Sequence, residues 1–428
     1  MNRMLLGLFL YTLAGSVSAE PGHPASPGYD EAVASLKAVP AVITALDHVL
    51  AMEPESHDLL IELNEIEAPS FKEEKRAARY IELLKEAGLT NVYIDEVGNA
   101  IGVRPGRSSD RMVAVVAHLD TVFPAGTDVT VKERDGKLYA PGIGDNTRGL
   151  VTLLTMLKAM QHANLQTDAD ILFVGNVGEE GLGDLRGVKH LFRADARKID
   201  AMIAIDGGES KRIVYGGVGS HRYRVTFQGP GGHSWGAFGL ANPHHALGRA
   251  IAIFDQNATA VTSVGEKTSY NIGRIGGGTS INSIPFESWA EIDMRSGEQD
   301  KIDAIDAVLQ AAIKQALEEE NAGRLSGPAL TVDIKQVGKR PAAKGDIRQP
   351  LVQLASAVTR SFGITPEFEL SSTDSNIPIS LGVPAVTMSR GGIGGGAHSL
   401  GEWWQNADGH LGIQIAMLTL LLEAGLIE

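Results

Sequence analysis

The chain has 428 residues, of which 43% are hydrophobic and 21% charged, and its formal net charge is -14. This length exceeds one compact core and predicts two domains of ordinary globular composition. The acidic balance disfavours binding to phosphate backbones, so nucleic acid is not an expected partner. Cysteine is absent, which excludes disulfides and thiolate chemistry and leaves His, Asp and Glu to hold any metal.

Residues 1–19 are typical of a secretory signal peptide. Arg3 supplies a positive charge, Met4 to Leu13 form a short apolar run, and Val17-Ser18-Ala19 offers a cleavage site. A membrane anchor is the alternative, but a span needs roughly 20 apolar residues. We therefore expect cleavage after Ala19, a periplasmic or secreted protein, and no membrane attachment afterwards. The segment EPGHPASPGYDE is expected to be flexible, and residues 20–44 are predicted to be an N-terminal lead-in to the first domain.

The next elements alternate between helices and buried strands. Helices are expected from about Tyr29 to Met52, Phe71 to Ala87 and Leu150 to Ala163, where apolar residues recur at helical spacing. The apolar runs RMVAVVAHLD, ADILFVGN and IDAMIAID predict buried strands, each followed by His or acidic residues. This pattern predicts an α/β domain with its site at the carboxyl edge of the sheet.

The pattern changes near Tyr215. Between residues 216 and 339 the predicted order is β-α-β-β-α-β, which indicates a small ferredoxin-like sandwich. The helix–strand alternation then returns with LVQLASAVTRSF and GVPAVTMSR. We therefore predict one domain from residues 45–215 and 340–428, interrupted by an inserted α+β domain over residues 216–339.

Five motifs place polar side chains at strand ends or in glycine-rich loops. Each has an ordinary explanation: a strand-end His, a helix N-cap, or a solvated carboxylate pair. Together they form a nitrogen and oxygen ligand set suited to two divalent cations. The residues are His118 in HLD, Asp145 in GIGDN, Glu180 beside Glu179 in GEE, Asp206 in AIDGG, and His398 in GGGAHSL.

These motifs, in this order, resemble the co-catalytic zinc peptidases of clan MH. That group includes glutamate carboxypeptidase, tripeptidase T, bacterial carnosine dipeptidases, acetylornithine deacetylase and succinyl-diaminopimelate desuccinylase. The resemblance covers almost everything after the signal peptide. It implies a catalytic domain with a mixed, mostly parallel sheet covered by helices, and an inserted domain that acts as a lid and forms a homodimer.

The resemblance also implies the role of each metal ligand. Asp145 would bridge two zinc ions, with Co or Mn as possible substitutes. His118 and Asp206 would complete one ion, and Glu180 and His398 would complete the other.

Further roles follow from the same resemblance. Asp120 would orient His118, and Glu179 would be the general base that serves a metal-activated water. In the lid, His233 would stabilise the oxyanion, while Asn282 and Arg295 would hold the substrate. The implied function is cleavage of a small peptide, in exopeptidase mode, or of an N-acyl amino acid.

Two other classes of function remain as alternatives. Gly232-His233-Ser234-Trp235-Gly236 matches the G-x-S-x-G pattern of serine hydrolases, with Asp374 and His398 following in the usual order. However, a Gly-Pro-Gly break precedes Ser234, where an elbow needs a strand. A non-catalytic binding protein of the same fold is the second alternative.

Overall fold

The structure is a computed structural model that describes residues 27–108 and 110–427. The predicted signal peptide and residues 20–26 therefore lie outside the described residues. Within the described ranges, no single helix has the length and apolar character to cross a membrane, although the first two helices together do and are bent by 78° where they meet.

Helices lie in both parts of the chain. In chain order they are α1 (Pro27–Ala38), α2 (Pro40–Ala51), α3 (Glu53–Asn64), α4 (Glu74–Glu86), α5 (Arg148–His162), α6 (Arg186–Leu191), α7 (Pro243–Thr262), α8 (Gln299–Gly323), α9 (Pro350–Ser361), α10 (Asn376–Ser380) and α11 (Gly409–Ala424).

The strands alternate with these helices. In chain order they are β1 (Asn91–Ile94), β2 (Ala100–Arg104), β3 (Met112–His118), β4 (Lys132–Arg134), β5 (Lys137–Tyr139), β6 (Gln166–Thr167), β7 (Asp170–Asn176), β8 (Ala201–Asp206), β9 (Arg212–Gly217), β10 (Gly219–Gln228), β11 (Gly232–His233), β12 (Thr268–Gly277), β13 (Ser283–Ile284), β14 (Glu287–Ser296), β15 (Thr331–Arg340), β16 (Glu367–Ser371), β17 (Ala385–Ser389), β18 (Ile393–Gly395), β19 (Trp403–Gln405) and β20 (Leu426–Ile427).

The larger sheet has eight strands in the order β1-β2-β7-β3-β8-β17-β9-β16. Its centre is parallel, because β3 pairs in parallel with both β7 and β8, and β8 pairs in parallel with β17. Strands β3 and β7 are buried along their whole length, since helices cover both faces. This burial explains their continuous apolar sequence. The predicted mixed, mostly parallel sheet covered by helices is confirmed.

Helix α5 shows why the sequence predicts this packing. Leu150, Leu153, Leu154 and Leu157 recur at helical spacing, and none of them is exposed. Burying each leucine contributes about 1.5–3 kcal/mol relative to an exposed position. The helix is thus fixed against the sheet, and the turn that precedes it is fixed as well.

Residues 27–31 are helical and do not form a flexible lead-in, because α1 begins at Pro27, and the helical region expected from about Tyr29 is present. Helices α1 and α2 pack onto the larger domain, where Val33 is 1%, Leu36 6% and Val42 0% exposed. The expected single helix from Tyr29 to Met52 is divided at Pro40, which has no backbone N–H to donate to the preceding turn. The buried apolar residues of this segment fix it against the larger domain, although it begins with Pro27 and Gly28.

The inserted domain has its own sheet and core. Its four-stranded sheet has the order β12-β14-β10-β15, and every pairing is antiparallel. Helices α7 and α8 cover one face and enclose Phe227, Phe254 and Ile292. This is the predicted ferredoxin-like arrangement. The sheet begins at Gly219, after residue 216, because β9 still belongs to the larger sheet through Gly217.

Candidate metal and catalytic site

The five candidate ligands converge at one edge of the larger sheet. His118 ends β3, Asp206 ends β8, and Glu180 follows β7, and these three strands are neighbours. Asp145 lies in the turn just before α5, and His398 lies in the loop between β18 and β19. Because parallel strands end at the same edge, chain segments far apart in sequence deliver their side chains to one place.

Asp145 is at the centre of this group. Its Oδ1 lies 3.1 Å from Nε2 of His118, and its Oδ2 lies 3.2 Å from Nε2 of His398. On one side, Nε2 of His118 is also 4.0 Å from Oδ1 of Asp206. On the other side, Nε2 of His398 is 2.9 Å from Oε1 of Glu180. One carboxylate thus separates two half-sites of similar composition.

The donor set fits divalent cations. One ligand atom from each of His118, Asp145 and Glu180 lies within 4.8 Å of the others. Burial, and to a smaller extent the nearby Asp145 carboxylate, raise the pKa of Glu180, so holding both carboxylates charged here is unfavourable. The hydrogen bonds to Asp145 and Glu180 raise the pKa of His398 to about 10. A cation relieves the same crowding of negative charge, and imidazole and carboxylate are ligands that zinc accepts.

Asp120 contacts both His118 and the turn formed by Glu179 and Glu180. Nδ1 of His118 donates to the backbone carbonyl oxygen of Asp120 at 3.0 Å, which leaves Nε2 facing the candidate metal centre. The Asp120 carboxylate is farther from this ring, at 3.6 Å. It accepts hydrogen bonds from the backbone N–H groups of Glu179 and Glu180 at 2.9 and 3.0 Å. Asp120 therefore orients His118 mainly through its main chain, and the Glu179–Glu180 turn through its side chain.

Glu179 is buried and paired with an arginine that sequence reasoning missed. Arg340, the last residue of β15, donates from Nη1 to Oε1 of Glu179 at 3.0 Å and to Oγ of Ser372 at 3.0 Å. Burial raises the pKa of Glu179 well above its usual range, and the Arg340 charge opposes that rise. This ion pair joins the end of the inserted domain to the edge of the larger sheet where the candidate ligands lie. No motif around Arg340 indicated this contact.

Glu402 is a second residue that the sequence did not indicate. Its Oε2 accepts from the backbone N–H of Gly142 at 2.7 Å, and its Oε1 accepts from those of Gly144 and Asp145 at 2.9 and 2.8 Å. Burial raises its pKa to about 7 against these three donors. Gly142 has a φ of 80°, and a Cβ on Gly144 would lie 3.1 Å from Oε1 of Glu402. The glycines let the turn that carries Asp145 wrap around this carboxylate.

The inserted-domain candidates divide into two places. Arg295 lines a cavity of about 340 Å³ together with Asp145, Glu179 and other residues at the edge of the larger sheet where the candidate ligands lie. His233 and Asn282 lie together elsewhere, where the backbone N–H of Ser234, which follows His233, donates to the carbonyl oxygen of Asn282 at 2.9 Å. Both side chains are exposed. Across the part of the chain that is described, neither one contacts the five candidate ligands.

The serine-hydrolase arrangement does not form. Ser234 follows the two-residue strand β11, and the next helix starts only at Pro243. His398 contacts Glu180 and Asp145, whereas Asp374 is buried and accepts a hydrogen bond from Asn176 at 2.9 Å. The three residues of that alternative are therefore not assembled into a triad.

A helix-covered α/β sheet with a cluster of His and carboxylate side chains at its edge is typical of a metal-dependent hydrolase. The chain belongs to the peptidase family M20/M25/M40, whose pattern matches residues 114–424. It acts on peptide or amide bonds, which confirms the predicted enzyme class. Metal dependence is a property of this family.

Individual relatives agree with this assignment. The chain is 24% identical over 314 residues to YqjE of Bacillus subtilis (strain 168), which covers 72% of this chain and 80% of that protein. It is 24% identical over 375 residues to the cytosol non-specific dipeptidase of Escherichia coli (strain K12). This alignment covers 78% of this chain and 70% of that protein. A tripeptidase structure from Staphylococcus aureus superposes with a TM-score of 0.69 at 21% sequence identity. The superposition covers 87% of this chain and 99% of that chain, and it shows that the two share a fold.

Proposed function

We propose that the chain is an exopeptidase that uses two zinc ions to cleave short peptides. The observation that carries this proposal is the Asp145 carboxylate, whose two oxygens face the imidazoles of His118 and His398 at 3.1 and 3.2 Å. A carboxylate with one oxygen on each side suits a bridging ligand between two cations. Co or Mn ions are compatible with the same donors.

Each half-site has its own pair of ligands. His118 and Asp206 would hold one ion, and Glu180 and His398 would hold the other. Divalent cations in this position supply Lewis acidity, which polarises the scissile carbonyl and makes water acidic enough to attack at neutral pH. Hydrogen bonds to Asp120 fix the orientation of the His118 ring and of the turn that carries Glu180.

Glu179 would move the protons of the reaction. It accepts a proton from the attacking water as the new C–O bond forms, then passes it to the amine nitrogen as the C–N bond breaks. Arg340 restricts the Glu179 side chain through the 3.0 Å contact with Oε1. Burial keeps competing bulk water away from this carboxylate.

The inserted domain would act as a lid and join two copies of the chain. His233 and Asn282 are exposed and remote from the candidate ligands, so we propose that the lid presents them to a catalytic edge when it closes, or to that of a partner subunit. Exposed apolar side chains beside them support a covering surface, since Trp235 is 88% and Ile281 103% exposed. Arg295 would pair with a substrate carboxylate. Sedimentation should then show a dimer.

We also propose a periplasmic or secreted location, which is supported by the signal-peptide character of residues 1–19. Fractionation of cells that express the full chain, with the mature N-terminus determined by mass spectrometry, tests this proposal. An intact first 19 residues on a cytoplasmic product would contradict it.

The function is tested by Glu179→Gln in zinc-loaded protein. We expect turnover of dipeptides and tripeptides to fall by about 10²- to 10⁴-fold, as for loss of a general base, with metal content near normal. Glu73→Gln is the matched control, because Glu73 is also buried and paired with an arginine, Arg186, at 2.7 Å. Unchanged turnover in Glu179→Gln would refute the role of the base.

The products decide between peptidase and deacylase. Dipeptides, tripeptides and N-acyl amino acids should be compared, with the released fragments identified by mass. Exclusive release of a fatty or short acyl group would favour the alternative, an N-acyl amino acid deacylase with the same site. A chelator should abolish either activity, and zinc should restore it.

A further inference from the structure

Four arginines line the cavity beside the candidate ligands, and three of them have terminal nitrogens that donate no hydrogen bond to the described part of the chain. Arg212, Arg222 and Arg295 all line the same space of about 340 Å³ as Glu179 and Asp206. Within residues 27–108 and 110–427, both Nη atoms of Arg295 and the Nη2 atoms of Arg212 and Arg222 donate no hydrogen bond. The cavity is therefore lined by guanidinium donors that protein groups do not satisfy.

A single carboxylate fixes two of these arginines. Oδ1 of Asp293 accepts from Nε of Arg222 at 2.9 Å, and Oδ2 accepts from Nε of Arg295 at 2.7 Å. Arg222 also donates to the carbonyl oxygen of Gly181, which directly follows the candidate ligand Glu180. Because each side chain is held through Nε, the terminal nitrogens are oriented before a ligand arrives. This preorganisation lowers the entropy lost when an anion binds.

Strand register explains the pairing. Arg222 on β10 lies directly opposite Asp293 on β14, and Arg295 follows two residues later on the same face of β14. The side chain of Arg222 is only 13% exposed, whereas that of Arg295 is 42% exposed. Two guanidiniums thus share one carboxylate at the cavity wall, and one positive charge is not compensated there.

The cavity has a positive balance once cations are bound, an argument that rests on the proposed function. Arg340 offsets Glu179, and Arg212 is paired with Glu369. The three candidate carboxylate ligands carry three negative charges against four positive charges on two divalent ions. Together with the uncompensated guanidinium, this leaves two positive charges in the cavity. A substrate with two carboxylates matches that balance.

We propose that Arg222 is a specificity-determining residue that receives a second substrate carboxylate beside the one bound by Arg295. The enzyme then prefers peptides whose released C-terminal residue is Asp or Glu, with the side-chain carboxylate on Arg222. The charge-assisted hydrogen bond discriminates between a carboxylate and an amide of the same shape, since the amide places a donor or a neutral oxygen against the guanidinium.

The test compares Ala-Glu with Ala-Gln on zinc-loaded protein. We expect kcat/KM to favour Ala-Glu by about 10- to 100-fold, the range of one hydrogen bond to a charged group, with the difference mainly in KM. Arg222→Gln should reduce this ratio to near one, and Arg222→Lys should retain part of it. Arg224→Gln is the matched control, because Arg224 lies on the same strand and face but outside the cavity.

A binding measurement separates the subsite from the proposed reaction. Calorimetry should show that glutarate binds the zinc-loaded protein more tightly than its monoamide, that Arg222→Gln removes this difference, and that Arg224→Gln keeps it. Peptide hydrolysis with no preference for Ala-Glu, and equal binding of the two probes, would overturn the subsite and leave the peptidase function in place. A clear glutarate preference without hydrolysis of either peptide would support the subsite and overturn the peptidase function.

Discussion

Removal of the Glu402 carboxylate tests how the turn that carries Asp145 is held. In Glu402→Ala, the backbone N–H groups of Gly142, Gly144 and Asp145 lose acceptors that now lie at 2.7, 2.9 and 2.8 Å. Glu402 itself is 1% exposed, so water has little access to replace the oxygens. We expect the folded state to be destabilised and the metal centre to lose its fixed geometry.

The magnitude follows from the three donors. A buried N–H without an acceptor costs about 1–3 kcal/mol, so three of them cost at least about 3 kcal/mol. Burial raises the pKa of Glu402 to about 7, so relief of that burial offsets part of the upper range. At roughly 2 °C per kcal/mol for a domain of this size, Tm should fall by about 6 °C. Zinc affinity should fall by about 10- to 100-fold, as for loss of residues that support metal ligands.

Calorimetric unfolding and zinc titration are the assays. Glu402→Gln keeps one acceptor oxygen and should give a smaller change than Glu402→Ala. Glu67→Gln is the control, because Glu67 accepts a single backbone N–H, that of Gly126 at 2.8 Å, in an exposed hydrogen bond. Unchanged Tm and zinc affinity in Glu402→Ala, within the error of the Glu67→Gln control, would show that the carboxylate does not hold this turn.

Two further predictions concern other parts of the chain. Ser234→Ala should retain substantial peptidase activity, because Ser234 lies on the inserted domain and does not contact His398; complete loss of activity would revive the serine-hydrolase alternative. Burial and the nearby His162 ring, stacked at 3.8 Å, lower the pKa of His48 from 6.5. The unfolded state then takes up the proton more readily, so this interaction lowers stability as pH falls below about 6.5. Tm measured at pH 7.5 and 5.5 should fall less in His162→Gln than in the unchanged protein, and an equal fall would contradict the assignment.

The sequence predicted the edge of the sheet where the candidate ligands meet, because the signals of buried strands are local. Buried parallel strands are continuous apolar runs, and their last residues must lie at one edge of the sheet. The sequence therefore predicted the approximate positions of His118, Asp206 and the Glu179–Glu180 pair. The inserted sandwich was predicted for a similar reason, since its alternating strands differ from the buried strands of the larger sheet. Only the start of α1 was missed, because Pro27 and Gly28 are typical of a loop, whereas the apolar spacing from about Tyr29 predicted the helix.

Only the tertiary structure decided which residues support the site. Arg340 meets Glu179 across 161 residues, and Glu402 meets Asp145 across 257. Such contacts leave no periodic pattern in the sequence, because a hydrogen bond depends on where two distant backbones come together and not on neighbouring residues. The shared use of Asp293 by Arg222 and Arg295 likewise depends on strand register. The sequence alone thus determined the chemistry of the candidate ligands, and folding determined which residues hold them and which charged side chains line the cavity beside them.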